Sequence, residues 1–436
     1  MEIYRLGQVA PERLQEILRR SRAEIFSPER IAHVRAIIGD VHLRGDAAII
    51  EYTQRFDGVA LSPDGLRVDR REIRQAYEAV DGGLRAALAS SIERARRYNE
   101  WLRPPGLTLE ELEPGLTAGV KYTPVAGVGV YVPSGKGAFP STFITLVTPA
   151  VVAGVEEIIA VLPPRKDGSA DPAVLVAADL LGVSQIFRAN GVAGIAGLTF
   201  GTATIPRVEL LVGPGNPYVT AAQIVVQSYG VRVLSFLGPT ESMIIADESA
   251  DPDRLALDLL NEAEHGADSA ALLVTPSAAQ AEEVRERLPR YLDRLPAQRR
   301  EFAEAALSRY GGAIVVDTVE EAAALANQYA PEHLQIATRD PYATLGLIRN
   351  AGEILLGQHT PFSAGNYAIG VPAALPTSGF ARVTSGVTVL SYLKATSVAH
   401  LTAEGLARVR PVIERLGRYE EFPAHVLAVE ARGGPA

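Results

Sequence analysis

The 436-residue chain contains no cysteine. That absence excludes disulfides, thiolate zinc sites, iron–sulfur clusters and a thiol nucleophile, so any aldehyde oxidation here must proceed without a thiohemiacetal. Lysine is scarce too: Lys121, Lys136, Lys166 and Lys394 are the only four. With 42 basic and 51 acidic residues the formal net charge is −9, and no Lys/Arg-rich block occurs, which argues against a nucleic-acid footprint. Pro, Gly or charge interrupts every long apolar run before it could span a bilayer, and Glu2, Arg5 and Glu12 occupy the place of a signal-peptide apolar core. A cytoplasmic, non-membrane protein is expected. At 47% apolar and 21% charged, the chain reads as globular, with length for two or three domains.

Residues 1 to about 105 carry mixed-charge, apolar-periodic runs such as Pro28–Phe56 and Arg70–Leu102, which predict helices; His33 and His42 fall inside them and read as surface or structural. From Gly127 short apolar strands alternate with helical runs: Val128–Val132, Glu157–Leu162, Gln185–Ala189, Val208–Val212 and Val231–Leu234. A second block follows, with strands at Ser242–Ala246, Ala271–Thr275, Ala313–Asp317, Leu334–Ala337 and Glu353–Leu356. Alternation of this kind predicts two parallel sheets covered by helices, with ligands at the carboxyl ends of the strands. The expected division is an N-terminal helical segment (1–25), a first α/β domain (26–125 with 238–378), a second α/β domain (126–237) and a C-terminal helical segment (379–436).

Three stretches carry candidate chemistry. In Leu259–Ser269 a helix stopped by Gly266 puts Glu262 and His265 three apart on one face, where a carboxylate and an imidazole can converge on one metal ion; the same pair also occurs as a solvated contact. Gly213-Pro214-Gly215-Asn216-Pro217 follows a strand and opens a helix, suiting either a phosphate or an ordinary tight turn. Pro133-Ser134-Gly135-Lys136-Gly137 is glycine-rich but lacks the nucleoside-triphosphate loop spacing, and Val132 stands where Gly127-Val128-Gly129 would need its third glycine for a dinucleotide fingerprint.

Across nearly its whole length the chain resembles the histidinol dehydrogenase family. The resemblance rests on Tyr131-Val132-Pro133, Gly213–Asn216, Gly238-Pro239-Thr240-Glu241, Ala263-Glu264-His265-Gly266, Asn327–Leu334, Leu375-Pro376-Thr377-Ser378-Gly379 and Ala424-His425. It implies two incomplete Rossmann-like parallel-sheet domains, aldehyde-dehydrogenase-like, in an intertwined homodimer whose active site is shared between subunits. It implies zinc and NAD as cofactors, and oxidation of a small primary alcohol through the aldehyde to the carboxylate. Carried over, the metal ligands are Glu262, His265, Asn366 and His425, the last from the partner subunit. The family usually has glutamine at the first of these and aspartate at the third. One amide became a carboxylate and one carboxylate an amide, so the set keeps its formal charge.

The same resemblance makes Glu332 and His333 the catalytic pair, with His333 taking the alcohol proton and Glu332 activating water on the aldehyde. It assigns Tyr131 and Asn216 to NAD, with Ala193 where a glutamine is frequent, and Thr240, Glu420 and Ala373 to the substrate. Ala373 replaces a histidine, which removes a polar contact and opens space. L-Histidinol is the leading single substrate; the alternatives are the same chemistry on another amino, sulfo or hydroxy alcohol, or a non-catalytic ligand-binding relative. A metal-dependent hydrolase fits the ligands but leaves the paired sheets and the Asn216 loop unexplained.

Overall fold

The computed structural model describes residues 1–19, 27–134, 137–234 and 238–432. In chain order its strands are β1 (Ile3–Arg5), β2 (Leu107–Glu113), β3 (Leu116–Pro124), β4 (Gly127–Tyr131), β5 (Glu157–Leu162), β6 (Gln185–Arg188), β7 (Leu210–Val212) and β8 (Arg232–Val233), then β9 (Glu241–Ala246), β10 (Ala270–Thr275), β11 (Gly312–Val315), β12 (His333–Ala337), β13 (Glu353–Leu356) and β14 (Leu393–Leu401). Three sheets result, ordered β6-β5-β4-β7-β8, β1-β11-β10-β9-β12-β13 and β14-β3-β2. The first two are parallel throughout and the third antiparallel. Counted within its own block, each parallel sheet has the strand order 3-2-1-4-5, the dinucleotide-binding order without its sixth strand.

Strand composition follows burial. Every residue of β4, β9, β10, β11 and β12 is buried, so they read as continuous apolar runs rather than alternating ones. Helix starts are marked by an Asp or Asn followed by proline: the side chains of Asp171, Asn216, Asp251 and Asp340 each accept backbone N–H bonds from the first turn, and the proline behind each needs no N–H partner.

Four expectations require correction. The N-terminus is not purely helical, because β1 pairs with β11 at the edge of the six-stranded sheet, and Ile17 of the following helix enters that sheet's core. The helices between 28 and 102 do not join the 241–356 sheet. Val34, Ile37 and Ile49 pack with Ile159 and Leu211 on one face of the five-stranded sheet, and Ile73, Leu88 and Ile92 with Val128 and Val130 on the other. The helical spacing of 28–102 shows an apolar stripe but not which sheet it covers. The segment after Gly379 is not all helix either: β14 pairs with β3 over nine residues. Finally, the helix before His265 ends at Ala263, and His265 sits in the turn beyond it, its N–H on the Glu262 carbonyl.

The last two helices, Ala403–Tyr419 and Pro423–Glu430, form an arm with Val412, Leu416, Tyr419, Phe422 and Leu427 exposed, and β2 is exposed along its whole length. No helix among the described residues is long and apolar enough to cross a membrane.

Candidate active site

At the amino ends of β9, β12 and β13 the buried groups Glu241, Glu332, His333 and Glu353 gather, and Glu262 joins them from the end of the helix Pro252–Ala263. His333 stands in register with Glu353 on one side and Ser242 on the other. Its Nδ1 lies 2.5 Å from Glu353 Oε1, while its Nε2 lies 3.8 Å from Glu332 Oε1 and 4.0 Å from Glu262 Oε2. The other oxygen of Glu332 accepts the Glu241 backbone N–H at 3.0 Å. Burial pushes the Glu332 carboxyl up to about 8. For His333 burial acts downward, but Glu262, Glu332 and Glu353 outweigh it and raise the imidazole to about 10.

Glu262 is the most enclosed of these, with no exposed surface. Asn261 and Asn366 both point amide nitrogens at its Oε1, at 2.7 and 3.3 Å, while its buried Oε2 has no hydrogen-bond partner. His265 Nε2 lies 3.7 Å from that oxygen. A buried carboxylate oxygen without a donor is costly, and two zinc ligands on a tetrahedral edge stand about 3.4 Å apart. Glu262, His265 and, after a flip of its amide, Asn366 therefore fit a divalent cation. Among the described residues, no three His, Asp or Glu groups of one chain surround a single point.

The pocket that holds these groups also has Thr240, Arg299, Ala373 and Leu375 in its wall. It runs into a second cavity through shared residues Tyr131, Pro133, Ser134 and Asn216. That second cavity lies at the carboxyl ends of β4 and β7, where the strand order of the five-stranded sheet reverses. Gly213 makes the approach possible: its φ is 140°, and a Cβ there would fall on the Tyr131 carbonyl oxygen. Asn216 Oδ1 accepts from the N–H groups of Tyr218 and Val219, so the turn offers fewer free N–H groups than its sequence suggests. Tyr131 is buried, and burial pushes its phenol up.

The sequence-derived residues thus fall into two sets. Glu262, His265, Asn366, Glu332, His333, Thr240 and Ala373 line one pocket, with Tyr131 and Asn216 at its junction with the other. Ala193 is buried in the helix below the groove. Glu420 and His425 are exposed on the C-terminal arm, outside both cavities. Sequence reasoning missed Glu353, seen only as the start of a strand. It missed Asp258, whose carboxyl burial raises to about 6 and which accepts from Gln335 at 2.8 Å. It also missed Asp57, held on both oxygens by the Asn190 amide in the second cavity. The signal available for Asp258 was its place one helical turn before Glu262. His33 lines the second cavity between Phe56 and Tyr218.

Two parallel sheets of dinucleotide-binding order, one presenting a groove at its switch point and the other a buried imidazole among carboxylates, define an enzyme of the dehydrogenase kind. The sequence model described as histidinol dehydrogenase matches residues 20–433, and the chain belongs to that family. It is 44% identical over 430 residues to a histidinol dehydrogenase of Synechocystis, covering 99% of this chain and 98% of the relative. It is 39% identical over 430 residues to a protein of Colwellia psychrerythraea named a histidinol dehydrogenase homolog, covering 98% and 96%. The crystal structure of histidinol dehydrogenase from Elizabethkingia anophelis superposes with a TM-score of 0.92 at 33% identity, covering 99% of this chain and 97% of that one.

Proposed function

We propose that the protein, a cytoplasmic homodimer, oxidises a small polar primary alcohol through the aldehyde to the carboxylate with two hydride transfers to NAD, L-histidinol being the first substrate to test. The observation that carries this reading is the junction of the two cavities at Tyr131 and Asn216, which sets a dinucleotide groove against the Glu332–His333 pair. When bound, a divalent cation such as zinc lowers the pKa of the alcohol it polarises, and NAD takes up the hydride. Glu262, His265 and Asn366 would hold that cation, with His425 of the partner subunit completing the set.

Without metal the surrounding carboxylates keep His333 protonated; a cation held at Glu262 would offset that field, and in the first oxidation His333 would then take the hydroxyl proton on Nε2, the nitrogen turned toward Glu262 and Glu332. The chain has no thiol, so the aldehyde must be hydrated, and Glu332 removes the proton from the attacking water. A carboxyl raised to about 8 is a stronger base than an ordinary one once ionised, which suits that step. Thr240 and, from the partner's arm, Glu420 position the substrate, while Tyr131 and Asn216 border the cofactor. Ala373 in the pocket wall offers no polar group to an imidazole, which favours trying other amino, sulfo and hydroxy alcohols beside histidinol.

The exposed apolar face of the arm, together with the position of His425 outside its own pocket, supports a partner subunit that buries the arm. Mixing two inactive variants tests this. In a dimer of His333→Asn and His425→Ala protomers one of two sites retains both groups, so random reassortment restores about a quarter of wild-type turnover. No recovery after confirmed subunit exchange counts against the shared site. Stoichiometry tests the chemistry: two NADH per alcohol consumed is expected, and one NADH with free aldehyde released would refute the second oxidation.

A further inference from the structure

Glu353 is a buried acid in contact with the proposed base that this scheme leaves without a task. We infer that Glu353 is a positioning residue for the oxidation: its carboxylate holds the Nδ1 hydrogen of His333 and so aims Nε2 into the pocket as the proton acceptor. The inference rests on the assignment of His333 as the base.

The placement is dictated by the sheet. β12 and β13 run parallel with His333 and Glu353 in register, and the Glu353 N–H bonds to the Glu332 carbonyl at 2.9 Å, tying the two strands at the residue beside the base. Glu353 is 8% exposed, and its Oε2 is buried with no hydrogen-bond partner. Gly365 backs the carboxylate so closely that a Cβ there would sit 2.9 Å from Oε2 and 3.1 Å from Oε1. The carboxylate is therefore clamped between a strand and a helix, with one oxygen committed to the imidazole. For stability alone, an apolar residue of equal volume serves a sheet interior as well as or better than a buried ion pair. A carboxylate on one ring nitrogen instead fixes the tautomer and orientation of the other. The alcohol O–H bond breaks, the Nε2–H bond forms, and the resulting imidazolium is stabilised by Glu353, which keeps its own charge and takes no proton.

The test uses the zinc-loaded full-length protein, NAD and the best alcohol found in the panel above. Glu353→Met keeps the volume but removes the acceptor; Glu353→Gln keeps an acceptor without the charge. The methionine variant should lose about thirtyfold or more in kcat, with both KM values within about threefold and zinc content unchanged, and the glutamine variant should regain about tenfold of that loss. A merely structural residue would move the unfolding temperature and spare this split. Wild-type kcat in Glu353→Met overturns the inference; should that variant fail to fold, wild-type kcat in Glu353→Leu, which also lacks an acceptor, does so. His333→Asn separates the two readings. Full turnover there removes the base assignment itself, whereas an inactive His333→Asn beside an active Glu353→Met removes only the role of Glu353.

Discussion

The two parallel sheets share one strand order yet use opposite ends. The five-stranded sheet opens its groove at the carboxyl ends of β4 and β7, where helices begin, whereas the six-stranded sheet gathers its reactive groups at the amino ends of β9, β12 and β13, where the helices Pro252–Ala263 and Val319–Tyr329 end. Helix N-termini carry partial positive charge and C-termini partial negative charge. One pole thus suits the pyrophosphate of a dinucleotide, and the other suits a cation and an imidazolium. On the proposed function, the rule that open α/β sheets bind at carboxyl ends would hold for the first sheet and fail for the second. Facing the two poles toward one cleft would then put an anionic cofactor and a cationic centre side by side.

The sharpest way to break this comparison is at the second pole. His333→Asn or Glu332→Gln should lower kcat by about 10²–10⁴ with NAD binding intact, whereas Tyr131→Ala at the first pole should act mainly on the KM for NAD. Equal kcat losses from both poles would undo the division of labour. Next in size is Glu262→Leu, which should act on metal and fold in the same direction. Zinc affinity should fall at least about a hundredfold, and the metal-free protein should lose about 1–3 kcal/mol, because the Asn261 and Asn366 amides and the His333 imidazole lose the carboxylate they face. Calorimetry with and without chelator measures both. A more stable metal-free form would mean that the unpartnered Oε2 outweighs those contacts. Smaller again is Asn216→Ala, which deletes a cap accepting two N–H bonds and should cost about 1 kcal/mol in urea unfolding.

What could be read from the sequence follows the same divide. Strands buried on both faces leave continuous apolar runs, so Glu157–Leu162 is found at its structural bounds; the edge strand Glu353–Leu356 is found at its bounds too, although alternate residues there are only half-buried. The three-residue β1 and the exposed β2 leave no comparable run; their pairing with β11 and β3 depends on contacts hundreds of residues away in one case and on a neighbouring hairpin in the other. At the site, Glu262 and His265 were visible because only three positions separate them at a helix end, although His265 falls in the turn beyond the helix rather than on it. Glu353 was not, because its pairing with His333 exists only through the register of two strands twenty residues apart. The arm carrying Glu420 and His425 is local in sequence, but one chain leaves it exposed.

The smallest expected effect is the pH dependence of stability without metal, and its sign follows from the second pole. Glu332 is raised from 4.5 to about 8, so within that window the folded protein holds a proton that the unfolded chain releases, and stability falls as pH rises, levelling above 8. His333 is raised from 6.5 to about 10; its contribution is fully present below 6.5 and is lost as pH climbs through the folded value. Both act in one direction between pH 6.5 and 8. Glu332→Gln keeps an acceptor for the Glu241 N–H but removes the first titration and part of the field on His333. In chelator, its unfolding temperature should therefore decline less from pH 6.5 to 8 than that of the wild type, other titrating groups cancelling in the difference. Parallel curves would mean that the amino-end cluster does not share protons as its burial requires, and that the contrast between the two poles is one of shape rather than charge.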